Sequence, residues 1–148
     1  GSDHASSGIV DLCQEMFLVA CAYKEVRENA GVMPPERVLE MATLNGARCA
    51  LREAEIGSIE PGKRADLVLF DTARPEWQPL YNPVANLVYS ATGKSVETVI
   101  VDGRVLIEGG RVLALDEGAV IEAARRRAPE ILAKTKLGAV TAPKWPVM

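Results

Sequence analysis

One histidine serves the whole of this 148-residue sequence, and that scarcity removes most self-contained catalytic designs. A nucleophilic triad needs a histidine held between nucleophile and carboxylate, but His4 stands beside Asp3, and sequence neighbours rarely form that relay. A self-contained zinc site wants three or four Cys, His or carboxylate ligands, and only Asp3 and His4 offer themselves together. Cysteine is almost as scarce. Cys13, Cys21 and Cys49 form no Cys-x-x-Cys pair, and an odd count without metal spacing predicts reduced, mostly buried structural thiols in a cytoplasmic protein. Cys13 and Cys21 fall on one predicted helix, too far apart to bridge. There is no glycine-rich loop of the P-loop or dinucleotide type. No apolar run approaches the roughly 20 residues that span a bilayer, so no membrane partner is expected. The net charge of −3 provides no basic footprint, which argues against nucleic acid. No basic stretch leading into an apolar core opens the chain, so no export signal is in view. Repeats and low-complexity segments are missing too.

What is present suits a soluble globular domain: 48% of residues are apolar and 25% charged, enough for a core and too apolar for disorder. The spacing of Leu12, Met16, Val19, Ala20, Tyr23 and Val26 predicts a helix from Asp11 to about Glu28 with one buried face. Asp11 suits its N-terminus, and Asn29-Ala30-Gly31 its stop. A second helix is predicted from Pro35 to Leu51, opened by proline at the first helical position but without a capping side chain at Pro34. Its buried side is Val38, Leu39, Met41, Ala42, Leu44, Ala47 and Leu51. Gly46, Ala47 and Ala50 leave a strip of small residues where another element can approach closely.

The period then changes. Gly57-Ser58-Ile59 reads as a short strand, Glu60-Pro61-Gly62-Lys63 as a turn, and Ala65 to Phe70 as a buried strand. Asp66 within it is assigned to backbone bonding in preference to chemistry. The loop from Thr72 to Pro83 carries Trp77 and Tyr81. Its aromatics could cover an apolar ligand, but a lid on the protein's own core and an oligomer contact are favoured. Asn82 and Pro83 predict a short helix to about Ala91. Asp102-Gly103 between two apolar runs is a two-residue hairpin signature, and Gly109-Gly110 turns into a third strand ending near Leu113. A last helix runs from Asp116 to about Leu137, bent at Pro129, with Val120, Ala123, Ala124, Ile131, Leu132 and Thr135 inward and Arg125-Arg126-Arg127 solvated. The tail after it shows no periodicity.

The opening stretch Gly1-Ser2-Asp3-His4-Ala5-Ser6-Ser7-Gly8 is short, polar and runs straight into a helix, the kind of loop on which enzymes carry chemistry over a rigid scaffold. With it go three further stretches: Val38-Leu39-Glu40-Met41-Ala42-Thr43-Leu44-Asn45-Gly46-Ala47-Arg48, Ile56-Gly57-Ser58-Ile59-Glu60-Pro61-Gly62-Lys63-Arg64-Ala65-Asp66-Leu67-Val68-Leu69-Phe70-Asp71, and Val99-Ile100-Val101-Asp102-Gly103-Arg104-Val105. Together they resemble the C-terminal portion of the amidohydrolase superfamily. The likeness is greatest to its cytosine deaminase-like branch, that of atrazine chlorohydrolase and S-adenosylhomocysteine deaminase, and covers essentially the whole chain.

The resemblance implies an α/β fold: the C-terminal part of a metal-dependent hydrolase (β/α)8 barrel plus strands of a small β-sandwich domain. Residues 1–53 would be the end of the barrel, with the metal-aspartate loop and flanking helices. Residues 54–115 would supply sandwich strands with an intervening loop and short helix, and residues 116–148 a C-terminal helix and tail. It implies one divalent metal, zinc or iron, per complete subunit. Asp3 matches the aspartate that binds or approaches the metal and takes a proton from its water, and His4 and Ser7 fall where substrate is contacted. The substrate would be a small nitrogen heterocycle, losing ammonia, an amine or chloride. Gly8 stands where relatives usually have asparagine, and the loop is one residue shorter, which bears on substrate identity. The remaining metal ligands and the general-acid glutamate belong to earlier strands. The expectation is therefore a fragment, inactive by itself, that partners the missing N-terminal barrel portion in a homo-oligomeric cytoplasmic enzyme. The alternative is a non-catalytic structural or interaction module from the same superfamily. A small autonomous metalloenzyme would need ligands that are not found.

Overall fold

The computed structural model describes Gly8 and residues 10–135. These fall into two compact units, one ending at Arg111 and one beginning at Val112. Helix α1 spans Leu12–Val26. Asp11 is its N-cap, its side chain accepting from Cys13 N. The helix ends before the Asn29-Ala30-Gly31 signal, with Arg27 as C-cap and Glu28 at φ 47°. Next come α2 (Pro35–Glu40), a π-helical turn Met41–Asn45 and α3 (Gly46–Cys49). Both junctions keep right-handed helical angles, so the predicted second helix forms as one rod. Nothing in the sequence predicts its π turn. As expected, Pro34 makes no capping bond.

The core of this first unit is Cys13, Met16 and Ala20 of α1, Val38 of α2 and Val88 of α4 (Pro83–Tyr89), flanked by Val19, Met33, Leu39, Ala42, Phe70 and Leu87. Burying a valine such as Val38 or Val88 contributes about 1.5–3 kcal/mol. The inward face of α1 differs from the predicted one. Cys13 replaces Leu12, which is half-exposed, and Tyr23 and Val26 face outward. Leu51, assigned to the buried side of the second helix, lies beyond it and is exposed.

Strand β1 (Leu67–Phe70) pairs antiparallel with β2 (Val96–Val101), which pairs antiparallel with β3 (Arg104–Glu108). A two-residue strand β4 (Arg111–Val112) completes the order β1-β2-β3-β4. Asp102 and Gly103 both take positive φ, 50° and 75°, the geometry a tight two-residue hairpin requires. Two strand expectations are corrected. Gly57-Ser58-Ile59 is irregular chain, because Gly57 is turned against α3 rather than paired in a sheet. The run Ala65–Phe70 narrows to β1 and is not buried: Val68 and Leu69 are about half-exposed. An apolar run records a preference for burial, not the presence of a covering layer.

The predicted lid forms over the core. Trp77, on a 3-10 turn Pro75–Trp77, is buried with its ring 5.6 Å from that of Phe70, whereas Tyr81 is exposed. Asn82 caps α4 through bonds from Val84 N and Ala85 N. In the second unit, α5 spans Glu117–Thr135 with Pro129 inside it, and Asp116 accepts from Ala119 N. Its expected inward face is a correction, since none of its residues is buried.

Candidate functional site

Asp3, His4 and Ser7 lie outside the described residues. Downstream, the first anchor is Asp11, and both of its carboxylate oxygens are engaged. Oδ1 accepts from Cys13 N at 2.9 Å, and Oδ2 accepts from Gly93 N at 2.8 Å. The first bond caps α1. The second ties the start of that helix to the 3-10 turn Gly93–Ser95 that leads into β2. The sequence offered a reason for the cap but none for Gly93, whose partner is 82 residues away.

Cys13, next to this anchor, is buried, and burial first, then the Asp11 charge, push its thiol up to about 11. Such a thiol carries almost no thiolate near neutrality and is a packing residue, not a nucleophile. Of the other cysteines, Cys49 is exposed, contrary to the expectation that most would be buried. Beside the first turns of α1, Glu15, Phe17 and Leu18 face Tyr89, Ala91 and Thr92 across an open groove. Deeper along α1, Lys24 donates to the Tyr89 hydroxyl and stands 4.8 Å from that ring's centre.

The stretch from Ile56 to Asp71 has a packing logic of its own. Gly57 holds φ +95°, and a Cβ there would lie 2.7 Å from the Ala47 Cβ; this is the close approach that the small-residue strip allows. Glu60-Pro61-Gly62-Lys63 closes as a turn, with Lys63 N donating to Glu60 O and Gly62 at φ +92°. Asp66 does bond backbone, but across the sheet: its Oδ1 accepts from Asp102 N at 2.7 Å. Arg64 lies 3.4 Å from Glu55 and 3.2 Å from Asp102, and Arg52 pairs with Glu55 at 2.8 Å. The hydrogen bond and charge of Arg52 hold the Glu55 carboxyl below its ordinary value. These exposed ion pairs contribute little each; together they register the hairpin tip against the loop after α3. Arg125, in the second unit, pairs with Glu122 at 3.8 Å.

Among the described residues no group of three or more His, Cys, Asp or Glu could hold a metal. Also among them, no helix is long and apolar enough to cross a membrane. Among the described residues the arrangement is a helix-and-sheet scaffold in which Asp11 ties the start of α1 to the turn before β2.

Residues 1–106 match the amidohydrolase family, and the chain belongs to it. The 5'-deoxyadenosine deaminase of Methanosarcina acetivorans is 42% identical over 130 residues, which cover 88% of this chain and 30% of that protein. The 5-methylthioadenosine/S-adenosylhomocysteine deaminase of Desulforudis audaxviator is 43% identical over 86% of this chain and 30% of its own. This chain thus spans about 30% of the length of the curated relatives it matches. A zinc-bound adenosine deaminase from Xanthomonas campestris superposes with a TM-score of 0.80 at 32% identity, over 82% of this chain and 28% of that one. Zinc-complexed atrazine chlorohydrolase from Arthrobacter aurescens superposes at 0.68 with 24% identity, over 77% and 25%, and at that identity shows the fold alone.

Proposed function

We propose that this chain forms the C-terminal part of a metal-dependent hydrolase that deaminates a purine-nucleoside-like heterocycle. The observation that carries the reading is the family match, which runs from the Asp3 segment through the Gly57 stretch to the hairpin. The names of the relatives at 42% and 43% identity favour release of ammonia from an adenosine derivative over dechlorination of a triazine. In this reading residues 1–53 close a (β/α)8 barrel, residues 54–115 give strands to a β-sandwich, and residues 116–148 form a C-terminal helix and tail. The half-exposed Val68, Leu69 and Val101 of the sheet suit a surface that further protein covers.

A divalent metal, zinc or iron, would supply water acidified towards neutrality. Asp3 would approach that metal and take a proton on a carboxylate oxygen, while His4 and Ser7 face the substrate. Water adds its oxygen to the ring carbon, the carbon–nitrogen bond breaks, and the amino group leaves as ammonia carrying the extra proton. The remaining metal ligands and the acid would come from the N-terminal barrel portion. The 148-residue chain by itself is therefore inactive, and the complete enzyme works as a homo-oligomer. The test is to express the full-length gene product, measure its intact mass, and assay ammonia release from 5'-deoxyadenosine, methylthioadenosine and S-adenosylhomocysteine beside chloride release from atrazine. Ammonia from at least one nucleoside is expected. Release of neither product by a metal-loaded polypeptide would instead favour a non-catalytic module of the same family.

A further inference from the structure

We infer that Asp11 is a positioning residue: through the Gly93 N–H it fixes the point at which the segment carrying Asp3 enters α1. The inference rests on the role proposed for Asp3. Among the described residues, Asp11 is the first along the chain to hydrogen-bond a distant segment. A cap alone needs one carboxylate oxygen; the second is committed to Gly93 at 2.8 Å. The seat is also tight, since a Cβ at Gly93 would lie 3.3 Å from Asp11 Oδ2 and 3.5 Å from its Cγ. One carboxylate therefore locks the helix start to the turn before β2, the element that is registered against β1. In the proposed reading, a shift of this anchor would pass along the chain to Asp3. Misplacement by about 1 Å of a group that acts on the reacting atoms can cost on the order of 100-fold in rate.

The two sides of the contact can be broken separately. Asp11→Asn keeps an oxygen for Cys13 N, and asparagine caps as well as aspartate, but an amide N–H₂ cannot accept from Gly93. Gly93→Ala leaves Asp11 intact and crowds its carboxylate. In the full-length, metal-loaded polypeptide, kcat for ammonia release, metal retained against a chelator, and Tm are measured for each variant, for the double variant and for Asp3→Asn. Both single variants are expected to lower kcat about 10–100-fold and to release metal faster, with Tm within about 2 °C of the parent, roughly 1 kcal/mol or less. The double variant should be no worse than the poorer single one, because both break one contact. Wild-type kcat and metal retention in both variants, or losses that multiply in the double variant, would overturn the inference. If Asp3→Asn leaves kcat and metal unchanged, the role of Asp3 itself fails; if it abolishes both while the Asp11 and Gly93 variants behave as wild type, only the positioning role fails.

Discussion

Gly57 and Gly62 form a matched pair for separating backbone strain from packing. Their φ angles are nearly the same, +95° and +92°. An alanine at Gly62 would meet nothing within 4 Å, whereas at Gly57 its Cβ would lie 2.7 Å from the Ala47 Cβ, 3.3 Å from the Leu44 Cα and 3.3 Å from the Thr43 carbonyl oxygen. Carbons in contact normally sit about 3.5–4.0 Å apart, so the Ala47 contact is too short by roughly 1 Å. Ala47 is buried on a helix and has no flexible end to move aside. Holding a side chain at such a φ costs about 1–3 kcal/mol, and overpacking adds about 1–3 kcal/mol. Gly62→Ala should therefore cost only the first amount, and Gly57→Ala about 2–6 kcal/mol. Urea unfolding of the full-length polypeptide, compared at a common m-value, reads the difference. Ala47→Gly in the Gly57→Ala background should recover the packing part, less the roughly 1 kcal/mol that a helical glycine loses. Equal costs at the two positions, within about 0.5 kcal/mol, would refute the close approach of the Gly57 loop to α3.

Two further predictions concern titrating groups. A maleimide or iodoacetamide time course read by peptide mass spectrometry should label exposed Cys49 first and buried Cys13 last; at the same pH, a thiol raised from 9.0 to about 11 has roughly 100-fold less thiolate. Ser95, fully buried, donates to Glu76 at 2.6 Å, and this bond holds the Glu76 carboxyl below its ordinary value. A carboxyl depressed in the folded state stabilises above its unfolded pKa, and that stability is lost as pH falls through the lowered folded value. Ser95→Ala should therefore flatten the acid limb of a Tm-versus-pH curve, and an unchanged acid limb would show that the bond does not hold Glu76.

The elements that were legible beforehand owe their form to local chemistry. Asp11 caps α1, Asn82 caps α4 with Pro83 at its first position, and Asp102-Gly103 turns the hairpin. Each needs only its immediate neighbours, so a short stretch of sequence holds the whole reason. What misled was periodicity used as a measure of burial. Leu12, Tyr23 and Val26 of α1, and Val120 and Ile131 of α5, have helical spacing but are about half-exposed or more. The strand expected at Gly57-Ser58-Ile59 fails because one glycine is committed to Ala47, a contact that alternation cannot register. The π turn at Met41–Asn45 had no residue signal. Of the site, the cap at Asp11 was readable and its contact with Gly93 was not, because a glycine N–H advertises no partner. Asp3, His4 and Ser7 rest on the family likeness alone.

In the proposed reading Asp3 works at a metal whose other ligands come from the N-terminal barrel portion. The most direct measurement is metal stoichiometry and ammonia release from 5'-deoxyadenosine, taken together on the full-length polypeptide and its Asp3→Ala variant. About one divalent metal per subunit and measurable turnover are expected in the parent. In the variant, turnover should fall at least 100-fold, as removal of a group acting directly on the attacking water would do. An Asp3→Ala protein that keeps its metal and deaminates at the parent rate would contradict that role for Asp3.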